Sequence, residues 1–259
     1  MSAPSPWSFT FEPVFLAIAV AAAVLYARRA RSAGAARTIV FALGLVCIAL
    51  PLNSPLETIA SHYLLLAHLA QNAIIADIAP PLLILGLPAE TRDAIVVRGG
   101  AVLAGLTRPA VALPIWLACW YGIHLAPVYD ALLTHPHLLN VEHAVLICAG
   151  LVFWWPVLAA TGGRLTPPIA LLYLFAAFVT SVFLGLGLTW LPSFYPYYQH
   201  TPRLWGLSPD EDQNLGGALM MAEQSFVLVS GMCWVFFRLL DPGAEDDQEA
   251  GDQSMVATR

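Results

Sequence analysis

Seven apolar runs, at 12–28, 38–53, 61–88, 110–128, 138–160, 168–191 and 214–239, set the limits on what this chain can fold into. A helix that crosses a bilayer needs about 20 mostly apolar residues, and inside lipid its backbone polar groups must be satisfied within the segment itself. The pattern predicts an all-α polytopic bundle of seven transmembrane helices. With 59% apolar residues, 11% charged residues and a mean hydropathy of +0.72, the chain has too little charge to cover a water-soluble domain. The stretch 94–107 is apolar but short and glycine-bearing, between Arg92, Arg98 and Arg108. It reads as an interfacial segment.

The basic residues give the sidedness. The chain has no lysine, and alternate loops divide the arginines unevenly. One side receives Arg28, Arg29, Arg31, Arg37, Arg92, Arg98, Arg108, Arg164, Arg238 and Arg259, and the other receives Arg203. The positive-inside rule then places the N-terminus outside and the C-terminus inside, which an odd number of spans requires. The first run lacks the flanks of a cleaved signal and reads as a retained helix. The net charge of −6 says little about partners, because a dense run of acids lies in one tail, at Asp241, Glu245, Asp246, Asp247, Glu249 and Asp252. Residues 1–240 read as one transmembrane domain and 241–259 as a disordered acidic cytoplasmic tail. No basic stripe suits nucleic acid, and the lipid bilayer is the surrounding partner.

Three details complete the local reading. Pro80 and Pro81 remove backbone donors, so the third helix should kink or break near its inner end. Trp154 and Trp155 read as interfacial anchors. Cys47, Cys119, Cys148 and Cys233 are widely spaced and read as small packing residues.

On this topology all seven histidines fall in the outer half of the bundle or in its outer loops. The third helix, running inward from Ser61, puts His62 at the rim and His68 about 10 Å below it. His124 on the fourth helix and His143 on the fifth reach a similar depth. The seventh brings Met220, Met221 and then Glu223 to the same layer, where a lone carboxylate is costly. Imidazole and thioether together suit copper, above all Cu(I), and imidazole with carboxylate also suits other divalent ions. His68, His124, His143, Met220 and Glu223 are therefore the candidate metal ligands.

A single membrane histidine ordinarily bonds a neighbouring helix; three at one depth have no such common reason. Gln71 and Asn72 share the face of His68 and are placed to orient its ring. Glu142 diverges from His143 by about 100° and is expected to face a different helix. Asp77, nine residues after His68, points to the opposite side near the midplane, as a proton relay, a partner of another protonatable group or a hydrogen-bonded structural acid. His135, His137 and His200 lie in outer loops, with at most an entry role, and Asp130 reads as a cap for the next segment.

Three blocks carry a resemblance. They are S-P-L-E from Ser54 with H-L-A-Q-N-A-I-I-A-D-I-A-P-P-L-L-I-L-G from His68; H-L-A-P-V-Y-D-A-L-L-T-H-P from His124, leading to Glu142–His143 and F-W-W-P at Phe153; and W-G-L-S-P-D-E-D-Q-N-L-G-G-A-L-M from Trp205. In this order, over roughly residues 50–240, the chain resembles the multi-span CtaG family of cytochrome c oxidase assembly factors. The resemblance implies a multi-pass plasma-membrane protein, with cytochrome c oxidase subunits as partners and copper delivery or insertion as its role. The family often has a histidine four residues after the first, and here that place is Asn72, a poor copper ligand.

The expected function is thus a non-enzymatic assembly factor for haem-copper oxidase, handling copper at the outer face. No nucleophile, base and oxyanion arrangement argues for catalysis. Two other classes compete: a haem-binding membrane electron carrier, which would show a Soret band, and a proton or ion transporter using Asp77 and Glu223, which would show flux in proteoliposomes. A retinal Schiff base is excluded, because the chain has no lysine.

Overall fold

The computed structural model describes residues 3–30, 33–159 and 165–240; the acidic tail 241–259, with Arg31 and Arg164, lies outside the described residues. Every regular element among them is a helix. In order these are α1 (Pro13–Arg29), α2 (Ala35–Leu52), α3 (Pro55–His62), α4 (Leu65–Ala73), a π turn (Ile74–Ile78), α5 (Ala79–Gly86), α6 (Ala89–Leu106), α7 (Pro109–Ile123), α8 (Ala126–Thr134), α9 (Pro136–Leu158), α10 (Pro167–Trp190), α11 (Pro196–Gln199) and α12 (Pro209–Leu240). Among the described residues, five helical stretches are long and apolar enough to cross a bilayer: Ala35–Leu52, Leu65–Gly86, His137–Leu158, Pro167–Trp190 and Pro209–Leu240. A sixth forms if α6 and α7, bent by 72° at their junction, are one broken span. The 17 residues of α1 rise only about 26 Å, short of a hydrocarbon core of about 30 Å. By length and composition the expected seven spans are thus five or six, and the sidedness rests on the arginines alone.

The third span differs from its expectation at both ends. It does not run from Ser61; α3 is a separate short helix, capped by Ser54, and α4 begins only at Leu65. His68 therefore lies about one turn into its helix, not two. Nor do Pro80 and Pro81 break it. They leave the carbonyls of Ala76 and Asp77 without their usual donors four residues on, and the preceding turn widens, with Ala79 N–H reaching back to the Ile74 carbonyl. Gly150 of α9 fits against this seam, where an added Cβ would collide with the Ala76 carbonyl oxygen and lie 2.7 Å from Pro80 Cγ.

Small residues let α12 approach its neighbours. A Cβ on Gly217 would meet Thr189 N of α10 at 2.6 Å, and one on Gly216 would meet Leu69 of α4 at 2.7 Å. In lipid such close backbone approach, more than apolar burial, holds helices together. One half of the bundle is aromatic: Trp116 of α7 stacks on Phe153 of α9 at 4.5 Å, and Phe153 on Tyr173 of α10 at 5.0 Å. Trp154 and Trp155 are buried in this cluster, so they are core residues and not the anchors expected. The 94–107 segment belongs to α6, which buries no residue and is broken at Gly100, whose φ of 50° a side chain rarely tolerates. Cys47 and Cys119 are half-buried, while Cys148 and Cys233 are exposed on the outside of the bundle.

Candidate metal centre

The other half of the bundle is polar inside. His68 of α4, Glu142 and His143 of α9, and His124 at the end of α7 are all buried, together with Asn72, Gln71 and Glu57. His68 Nε2 lies 3.5 Å from Glu142 Oε1, and the same oxygen accepts a 2.8 Å hydrogen bond from Asn72 Nδ2. The rings of His68 and His143 are 6.2 Å apart, nearly edge to face. Glu142 and His143 thus both line the side of α9 that meets His68, which corrects the expectation that Glu142 faces a different helix. Two residues about 100° apart on a helix can border one pocket when the pocket is wide. His124 is set further off, with the Tyr129 ring of α8 between it and His68, at 5.7 Å from one and 5.0 Å from the other.

The hydrogen bonds fix the tautomers of two imidazoles. His124 Nδ1 lies 2.7 Å from the Trp120 carbonyl, which can only accept, so Nδ1 carries the proton and Nε2 a bare lone pair. His68 Nδ1 lies 2.9 Å from the Tyr198 hydroxyl. That hydroxyl has one proton and donates it to the Ala60 carbonyl at 2.5 Å, so it accepts from His68 Nδ1–H. His68 Nε2, His124 Nε2, both nitrogens of His143, Glu142 Oε2 and the Tyr129 hydroxyl are buried without a hydrogen-bond partner.

Orientation of the His68 ring therefore comes from Tyr198, not from Gln71 or Asn72 as expected. Asn72 serves Glu142. Gln71 Nε2 bonds Glu57 Oε2 at 2.5 Å and the Pro51 carbonyl at 3.1 Å. Burial pushes the Glu57 carboxyl above the usual carboxylate range, against the hydrogen bonds from Ser61 and Gln71. Burial also pushes the phenols of Tyr129 and Tyr198 up, so both stay neutral.

The segment between α10 and α12 covers this end of the bundle through its tyrosines. Tyr195, Tyr197 and Tyr198 donate to the carbonyls of His124, Ser61 and Ala60, all at or near the ends of α7 and α3, where backbone acceptors are left over. Asp130 caps the first turn of α11 by accepting from Tyr197 N at 3.2 Å.

The remaining candidates sit elsewhere. Met220 is buried in the apolar cluster that holds Leu65, Trp120 and Tyr129. Glu223 has Asp77 as its charged neighbour, and both its carboxyl oxygens are buried without a hydrogen-bond partner. Asp77 accepts from Gln224 Nε2 at 3.5 Å. These acids form a second polar group, apart from the His68–Glu142–His143 set. His135 and His200 are exposed, each bonded to a carbonyl of its own segment. Among the described residues, no three His, Cys, Asp or Glu side chains already close on a common point that would hold a metal ion. Neither Tyr198 nor the role of Glu142 was legible in the sequence; the Tyr197–Tyr198 pair beside Pro196 was the local sign of the first, and Tyr129 stood in the block from His124 without a role.

Fold and site together define a multi-span α-helical membrane protein with a buried cluster of imidazoles and a carboxylate at one end of its bundle. The chain matches the model of the cytochrome c oxidase caa3 assembly factor family (Caa3_CtaG) over residues 18–241, most of its length, and belongs to that family. No curated protein and no solved structure matches it.

Proposed function

We propose that this assembly factor handles copper as cargo, in the plasma membrane, for a cytochrome c oxidase subunit, and that His68, Glu142 and His143 hold the ion. One observation carries the reading: with Nδ1 protonated, the His68 Nε2 lone pair faces the Glu142 carboxylate across 3.5 Å. Two acceptors facing each other in a buried pocket need a cation between them. A proton fills that place when the pocket is empty, and a metal ion displaces it on loading.

The spacing supports this. Metal–nitrogen bonds of about 2 Å, plus about 1 Å from nitrogen to ring centre, put two imidazoles on one ion about 5 Å apart at a tetrahedral angle and about 6 Å apart when opposed, and His68 and His143 stand at 6.2 Å, the spacing of an opposed pair. Rotation of the His143 ring, neither of whose nitrogens has a hydrogen-bond partner, then closes the site around the ion and reopens it on release. His124, behind Tyr129, offers a second stop for the ion, and Met220 a soft thioether in the adjoining wall. Such a role requires no catalysis.

The test is the copper content of the detergent-purified protein beside His68→Ala, His124→Ala and His143→Ala. Copper in the wild type that is lost in the His68 and His143 variants is expected; equal content in all four would remove the shared site. Oxidase activity after deletion of the protein identifies the client.

The buried acids favour a second reading, proton or cation passage through Asp77 and Glu223, because both Glu223 oxygens lack hydrogen-bond partners. Flux in proteoliposomes, abolished by Asp77→Asn or Glu223→Gln, supports it; no flux ends it.

A further inference from the structure

We infer that Tyr198 is a positioning residue for metal binding, which makes the segment between α10 and α12 a working part of the pocket. The inference rests on the copper reading for its consequence but not for its geometry. Tyr198 is buried, and its hydroxyl joins three parts of the chain: α11, which carries it; α3, through the Ala60 carbonyl; and α4, through His68 Nδ1. A phenol offers one proton. Once that proton is given to Ala60, the oxygen can only accept from His68, so Nδ1–H is held in place and the ring's other nitrogen is the one left to bind. An acceptor on the second nitrogen of a ligating histidine fixes its tautomer, sets its orientation and raises its basicity.

Tyr197 is the natural comparison, because the structure gives it the same attachment without the same neighbour. It comes from the same helix and its hydroxyl donates to Ser61, the next carbonyl of α3, at 2.6 Å, but it makes no bond to His68. Removing either hydroxyl costs one bond between α11 and α3. Removing that of Tyr198 also frees the His68 tautomer.

The experiment compares wild type, Tyr198→Phe and Tyr197→Phe as full-length proteins in detergent, with Cu(I) competed against a chromophoric chelator and nitrogen-15 spectra of the histidines. Tyr198→Phe is expected to weaken Cu(I) binding about 10-fold, the lower end of what such supporting partners contribute. Tyr197→Phe is expected to leave it unchanged. In the wild type, His68 should carry its proton on Nδ1 with and without Cu(I). Equal losses in both variants would mean that the segment merely packs, and no loss in Tyr198→Phe would remove the role. An unprotonated Nδ1 in the wild type overturns the inference even if Tyr198→Phe fails to fold. A wild type that binds no Cu(I) but shows His68 Nδ1–H leaves the tautomer lock standing and ends the copper reading instead.

Discussion

The same helices build two unlike halves of this bundle. Toward one end, α7 and α9 present Trp116, Phe153 and Trp154, stacked or edge-on, whose only polar side-chain atoms are two indole nitrogens, both without partners. Toward the other, they present His124, Glu142 and His143, several of whose polar atoms have no partner. Each unpaired buried polar group costs about 1–3 kcal/mol, so the polar half is the less stable way to pack the same helices. The first half is made to hold the bundle together. The second leaves lone pairs of His124, Glu142 and His143 without partners.

Phe153→Ala should break the comparison at its firmest point. The aromatic half should lose about 3–5 kcal/mol of stability, read as a lower thermal midpoint in detergent, while copper per folded molecule stays at the wild-type level. His143→Phe should do the reverse. It removes two unpartnered nitrogens and keeps an aromatic ring, so stability should stay level or rise by about 1 kcal/mol, and copper should be lost. A drop in stability like that of Phe153→Ala would mean that the histidine is structural.

Asn72→His sharpens the polar half by adding an imidazole beside Glu142, and Cu(I) binding should tighten by about 10-fold if the pocket takes soft metal through nitrogen. Unchanged or weaker binding would place Asn72 as a donor that Glu142 needs. The smallest effect concerns Glu57, which packs behind Gln71. Its carboxyl is raised in the folded protein, so its contribution is whole below the usual carboxylate range and is lost as pH rises through the raised value. Glu57→Gln should flatten that part of the profile of thermal midpoint against pH.

Helix rise and topology gave His68, His124 and His143 a common depth without any view of the fold, yet helical periodicity misjudged Glu142. The argument from 100° per residue treats a site as a point, whereas the pocket spans a wide arc between α4, α8 and α9. Tyr198 was illegible because it comes from a short helix in a connecting segment, where periodicity carries no signal. Trp154 and Trp155 looked like anchors because membrane-end tryptophans often are; their burial depends on side chains brought from α7 and α10, and Trp154 also lies against Gly231 of α12. The π turn at Ile74–Ile78 follows from Pro80 and Pro81, but whether a helix breaks or widens there depends on a neighbour as small as Gly150.

By itself the sequence determined that this protein is a helical membrane bundle, because apolar run length answers to the solvent and lipid acts on every segment alike; the likeness to the CtaG family was carried separately, by its three motif blocks. Which nitrogen of His68 is free, which acid faces it and which acid Asp77 meets were decided only by tertiary structure. Those are matters of a few ångströms between residues far apart in the chain, 130 positions for His68 and Tyr198, brought together where glycines let helices approach closely.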